Sequence, residues 1–135
     1  ADILADFLSF HHIAFQRKGN NVWAVQAHFD SRKPTLLLNS HHDTVKPNPA
    51  YTRDPFSPAL EDGKLFGLGS NDAGGALVSL LEAFRQLYHR QDLGYNLVLA
   101  ATAEEEISGT GGIELIWNDL PRIDCAIVGE PTLMK

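Results

Sequence analysis

Three short apolar runs in this sequence each end in side chains that carry chemistry, and that arrangement narrows the possible folds more than any other feature. Thr35 to Ser40, with Leu36, Leu37 and Leu38 at its centre, runs into His41-His42-Asp43-Thr44-Val45. Tyr95 to Thr102 runs into Glu104-Glu105-Glu106, and Ile123 to Val128 runs into Gly129-Glu130-Pro131-Thr132. Apolar runs of this length, bounded by turn residues, predict buried strands. Strands that deliver polar groups at their C-terminal ends are how an open α/β sheet builds a site.

The segments between the runs complete the pattern. Ile3, Leu4, Phe7 and Leu8 fall at helical spacing within residues 2–10. Ile13 to Phe15 and Val22 to Ala27 flank Gly19-Asn20-Asn21, which predicts an antiparallel edge hairpin. Four prolines between Pro47 and Pro58 mark an ordered loop, with Tyr51 and Phe56 expected to bury against the body. Glu61-Asp62-Gly63-Lys64 reads as a turn before a short strand at Leu65 and Phe66. A long helix is predicted from Ala73 to His89, with Leu77, Leu80, Leu81 and Phe84 on one face. Gly74 and Gly75 in its first turn cost helix stability, which points to close approach by another backbone or a ligand. A shorter helix, Ile113 to Asn118, ends before Pro121. The fold class expected is α/β, a mixed β-sheet flanked by helices.

The chain of 135 residues carries a formal charge of −6, and its eleven Lys and Arg are scattered, which argues against a nucleic-acid partner. No run of 18 apolar residues and no basic, apolar leader is visible, so neither a membrane span nor a signal peptide is expected. Cys125 is the single cysteine, which excludes an internal disulfide and fits a reducing, cytoplasmic setting. Its place inside an apolar strand predicts a core residue rather than a nucleophile.

Asp43, Asp72, Glu105, Glu106 and Glu130 all fall at predicted strand ends, where clustered like charges are costly without a cation. Imidazole and carboxylate ligands suit a divalent ion such as zinc, and His41, Asp72, Glu106 and Glu130 make a sufficient set of types. Strand alternation sets His41 and Asp43 on one face and His42 on the other, so Asp43 can orient the His41 ring. Beside a ligand in the Glu104-Glu105-Glu106 run, a neighbouring carboxylate can serve as a general base. Each residue alone also has a plainer reading: Asp72 as a helix N-cap, Glu130 as a turn residue, the acidic run as a solvated loop. Gly67-Leu68-Gly69 fails as a dinucleotide fingerprint because Asp72 occupies the third glycine position. Ser70 and Ser108 have no nucleophile-elbow context. His11, His12, His28 and His89 show no partner pattern and are read as structural.

Taken in order, four blocks resemble the co-catalytic zinc peptidase and amidohydrolase family of acetylornithine deacetylase, succinyl-diaminopimelate desuccinylase and glutamate carboxypeptidase. They are Ser40-His41-His42-Asp43-Thr44-Val45, Gly69-Ser70-Asn71-Asp72-Ala73-Gly74-Gly75, Thr102-Ala103-Glu104-Glu105-Glu106 and Gly129-Glu130-Pro131-Thr132. The resemblance is closest to acetylornithine deacetylase. It implies a zinc-exopeptidase-like catalytic domain with two divalent ions, zinc by expectation and cobalt or manganese as alternatives. His41 and Glu130 would hold one ion, Glu106 the other, and Asp72 both. Glu105 would be the general base and Asp43 the residue that orients His41. The reaction implied is hydrolysis of the amide of an N-acyl amino acid, in the setting of arginine or other amino-acid biosynthesis. Members of the family usually carry Arg, Met and Lys where Leu68, Ala73 and Gly74 stand, and Asp where Glu104 stands.

The resemblance further implies that residues 1–135 are the N-terminal part of the catalytic domain. A dimerisation and lid domain, and the rest of the catalytic domain, would lie outside them, with the complete protein a homodimer and these residues impaired alone. Three other readings stay open: a non-catalytic metal-binding or interaction domain on the same fold, a related dipeptidase or carboxypeptidase, and a metal-free glycosidase using Glu105 with Glu130 or Asp72.

Overall fold

The computed structural model describes residues 1–131; Thr132, the last residue of the fourth block, lies outside them. The chain runs α1 (Asp2–Phe10), β1 (Gln16–Lys18), β2 (Asn21–Val25), β3 (Thr35–His41), β4 (Ala59–Glu61) and β5 (Lys64–Phe66). A π-type turn (Ser70–Gly75) then leads into α2 (Ala76–Leu87), followed by β6 (Asn96–Thr102), α3 (Ile113–Ile116), a 3-10 turn (Trp117–Asp119) and β7 (Cys125–Val128).

Five strands form one mixed sheet in the order β1-β2-β6-β3-β7, and β4 pairs with β5 in a separate hairpin. The hairpin β1–β2 is antiparallel, as is the β2–β6 pair, whereas β3 lies parallel to both β6 and β7. Strand alternation divides the core between the two faces. On one face Val22, Ala24, Leu38, Leu97 and Leu99 pack with Leu8 of α1 and Leu81, Phe84 and Tyr88 of the α2 region. On the other, Trp23, Leu37, Val98 and Ala100 pack with Ile116 of α3. The parallel strands β6, β3 and β7 lie side by side, so their C-terminal ends open on one edge of the sheet with β3 in the middle. All seven residues of β6 are buried, as befits a strand with neighbours on both sides and helices on both faces.

Several sequence expectations shift in detail. The first strand is Gln16–Lys18 rather than residues 13–15, and Ile13 is buried in the loop before it. The long helix starts at Ala76 because Asp72 and Ala73 have non-helical backbone angles, and the Asp72–Ala73 peptide is cis. Asp72 is therefore no N-cap; that position belongs to Gly75. The close approach expected at Gly74 is real: a Cβ there would strike the Gly69 carbonyl, which accepts the Gly74 N–H at 2.8 Å.

Two expectations fail. All four residues of β7 are exposed, so Cys125 is a surface thiol and not a core residue. Among the described residues β7 has a strand neighbour only on its β3 side. Tyr51 and Phe56 are also exposed, at 51% and 75%. The loop that carries them is tied instead by Arg53, whose guanidinium holds Glu61 through two 2.7 Å bonds and lies 4.0 Å from the centre of the Phe66 ring.

Candidate metal centre

His41 is the last residue of the central parallel strand and pairs in register with Thr102 of β6, while Asn39 pairs with Val128 of β7. This register puts the Glu104-Glu105-Glu106 turn on one side of His41 and Glu130 on the other. The π-type turn brings Asp72 across the strand ends. The His41 ring is 1% exposed, and its Nε2 lies 3.1 Å from Asp72 Oδ1, 3.5 Å from Glu130 Oε2 and 3.8 Å from Glu105 Oε2.

On the other side of the ring, Nδ1 lies 3.1 Å from the Asp43 carbonyl oxygen and 3.4 Å from its carboxylate. A proton on Nδ1 donated to Asp43 leaves Nε2 as the lone-pair atom facing the carboxylates, the tautomer a metal ligand needs. β3 ends at His41, so Asp43 meets the ring from the loop that follows rather than by strand alternation. The Asp43 carboxylate also accepts the N–H groups of Glu105 at 3.3 Å and Glu106 at 3.2 Å, and so joins the first block to the third. His42, as expected, faces elsewhere: its ring Nε2 lies 2.7 Å from the Asn20 carbonyl.

Burial alone would pull the His41 pKa down. The carboxylates of Glu130, Glu105 and Asp43, with the Asp43 carbonyl, outweigh burial and hold it above the ordinary imidazole value. No Lys or Arg forms an ion pair with Asp72, Glu105, Glu106 or Glu130 among the described residues. Among the described residues these carboxylates therefore lack compensation from a Lys or Arg.

The donor set fits a divalent cation. One ligand atom each from His41, Asp72 and Glu106 lie within 4.8 Å of one another. Metal–ligand bonds of 2.0–2.1 Å in a tetrahedral site imply ligand–ligand edges of about 3.3 Å. The separations from His41 Nε2 to Asp72 and Glu130 bracket that value. Glu130 reaches the imidazole without joining the three-residue cluster. A cavity of about 270 Å³ lined by Thr44, Val45, Tyr51, Asn71, Asp72 and Glu106 opens beside these groups. A larger one, about 430 Å³, lies at the opposite end of the strands around Phe29, Pro34 and Arg122 and holds none of them.

Three positions were given no role of their own from the sequence. Ser40 Oγ donates to the Gly129 carbonyl at 2.8 Å and anchors the chain beside Glu130. Asn39 Nδ2 donates to the Ala100 carbonyl at 3.0 Å and to Thr102 Oγ1 at 3.2 Å, bracing the end of β6. Asn21 is wholly buried against the acidic turn. For Asn39 and Ser40 the only signal is a polar residue at the end of an apolar strand; Asn21, read as part of the hairpin turn, offers none.

Solved structures share this fold. A metallo-carboxypeptidase, Sso-CP2 from Sulfolobus solfataricus, matches 95% of the chain with a TM-score of 0.74 and 26% identity. Human carnosine dipeptidase 1 matches 96% with a TM-score of 0.70 and 22% identity. The dipeptidase Dug1p from Saccharomyces cerevisiae matches 96% with a TM-score of 0.68 and 20% identity. The chain spans about a third of the length of each, 31% to 32%. A family model, Peptidase family M20/M25/M40, matches residues 37–135, a stretch that takes in all four blocks. The chain belongs to that peptidase family.

Proposed function

We propose that this protein is a metal-dependent hydrolase that cleaves the amide bond of an N-acyl amino acid, in the manner of an acetylornithine deacetylase. The observation that carries the reading is the buried His41 Nε2, ringed by Asp72, Glu130 and Glu105, with no Lys or Arg paired to these carboxylates among the described residues. His41 and Glu130 would hold one divalent ion, Glu106 the second, and Asp72 both, with zinc the first choice for a nitrogen and oxygen donor set. When bound, such ions supply Lewis acidity toward an acyl carbonyl and make water a better nucleophile near neutral pH.

The chain's own residues do the rest. The Glu105 carboxylate, beside the cluster and half exposed, accepts a proton from the attacking water as the new C–O bond forms. It returns that proton to the nitrogen as the C–N bond breaks, releasing the amine and the carboxylic acid. Asp43 holds the His41 ring through its carbonyl and holds the backbone of Glu105 and Glu106 through its carboxylate.

The substrate would be a small acylated amino acid such as one of arginine biosynthesis, handled in the cytoplasm by a homodimer whose lid and dimerisation domain lie outside residues 1–135. A second reading, a dipeptidase or carboxypeptidase, is favoured by the names of the similar structures. A panel of acetyl, succinyl and carbamoyl amino acids against simple dipeptides separates the two. The enzyme reading itself is tested in the full-length protein: Glu105→Ala should retain metal and lose hydrolysis, and Asp72→Ala should lose metal. Normal turnover by Glu105→Ala would refute this mechanism.

A further inference from the structure

Asn21 opens β2 and is 0% exposed, 82 residues in sequence from the acidic turn it touches. Its Oδ1 accepts the N–H of Ala103 at 3.0 Å, and its Nδ2 donates to the Gly111 carbonyl at 2.7 Å and to the Lys18 carbonyl at 3.2 Å. Ala103 and Gly111 are the two stems of the turn that carries Glu105 and Glu106. One side chain therefore spans the base of the turn and joins both stems to the β1–β2 hairpin.

The turn needs such a brace. Glu104 and Ser108 both have left-handed backbone angles, φ 57° and 50°, which non-glycine residues adopt at a cost. Inside the turn the N–H groups of Ser108 and Gly109 bond to the Glu105 and Glu104 carbonyls, both at 2.9 Å. These local bonds set its shape without fixing it relative to β3. The β3–β6 pairing holds the chain as far as Thr102, and beyond it two side chains add contacts: Asp43 at the tip and Asn21 at the base. The residue before Asn21 also touches the histidine arm, since the Asn20 carbonyl lies 2.7 Å from His42 Nε2.

We propose that Asn21 is a positioning residue of the metal centre, one that sets where Glu105 and Glu106 stand relative to His41 by clamping both stems of their turn. The inference rests on the functional reading above. A buried amide that makes three hydrogen bonds would stabilise any fold, so the test must separate positioning from stability. The molecule supplies the control. Asn96, also 0% exposed, opens β6 at the far end of the sheet and bonds there to Asp30, Lys33 and Thr35.

The experiment compares Asn21→Leu with Asn96→Leu in the full-length protein, by amide hydrogen exchange of the metal-free form and by the visible spectrum and kinetics of the cobalt-loaded form. Asn21→Leu should speed exchange at residues 103–111, shift the cobalt d–d bands and lower kcat by about 10-fold or more with KM little changed. Asn96→Leu should leave all three near wild type while losing comparable stability. Equal effects from the two variants, or no effect from Asn21→Leu, overturn the proposal. If Asn21→Leu does not fold, Asn21→Asp, which keeps the acceptor for Ala103 and loses the donor to Gly111, carries the same comparison. A wild type that takes up no cobalt and hydrolyses no amide overturns the functional reading instead, and the exchange comparison still decides whether Asn21 sets the turn.

Discussion

The carbonyl oxygen of Asp43 lies 3.1 Å from Nδ1 of His41, nearer than the Asp43 carboxylate at 3.4 Å, so the main chain as well as the side chain of Asp43 orients the ring. The carboxylate is engaged elsewhere, accepting the Glu105 and Glu106 N–H groups. Asp43→Asn keeps the carbonyl contact but replaces one of two accepting oxygens with an NH2 group that faces a backbone donor. Metal affinity is expected to fall by about 10–100-fold, the range typical of groups that support a ligand. Competition against a chelator measures it, and unchanged affinity would mean the turn holds its place without Asp43.

The raised pKa of His41 gives a pH dependence whose sign is fixed. In the metal-free protein the fold favours the protonated ring. That contribution to stability is fully present below the pKa of an unfolded imidazole and is lost as pH rises through the higher folded value. Metal uptake needs the neutral ring, so affinity should rise over the same window and binding below the folded pKa should release a proton. Calorimetric titration in two buffers of different ionisation enthalpy counts the protons, and a His41 titration by NMR at or below the ordinary imidazole value would contradict the expectation.

Helix α2 carries the face of the sheet opposite α3, and its centre is Phe84, 0% exposed among Leu38, Leu97 and Leu99. Phe84→Ala should cost about 3–5 kcal/mol, through lost transfer energy and the cavity left behind. Val78 on the same helix is 60% exposed, and Val78→Ala should change stability by no more than about 0.5 kcal/mol. Denaturant melts of the two variants check both values; similar midpoints would mean that α2 does not pack as described.

Three of the four blocks were legible because each follows a parallel strand, and parallel strands bring their ends to one edge whatever their order in the chain; the Asp72 block follows the separate β4–β5 hairpin and reaches that edge through the π-type turn. What periodicity omits is the neighbour. The run Ile123 to Val128 is apolar enough for a sheet centre, yet β7 is exposed throughout, because an apolar run does not say what lies beside it. Tyr51 and Phe56 err for the same reason. Alternation placed Asp43 beside His41, and the contact exists, although β3 ends before it can enforce that spacing. Asn21 gave no signal at all, since its partners at Ala103 and Gly111 are 82 and 90 residues away and are backbone atoms. Contacts from a side chain to a distant main chain leave no spacing to read.

The last expectation concerns Glu104, which stands where the family usually has the shorter Asp. Its carboxylate folds back over the turn, with Oε2 accepting the Gly111 N–H at 2.9 Å. A Cβ at Gly109 or at Gly111 would overlap that carboxylate, so both glycines make room for the longer acid. Gly111 has no left-handed backbone angle, so Gly111→Ala tests space alone. It should displace the carboxylate and cost about 1–2 kcal/mol, the worth of a charge-assisted bond. In a Glu104→Ala background the obstacle is gone and the same substitution should cost little, giving a coupling of at least about 0.5 kcal/mol in a double-mutant cycle. Additive effects in that cycle would show that the glycines serve the backbone and not the Glu104 side chain.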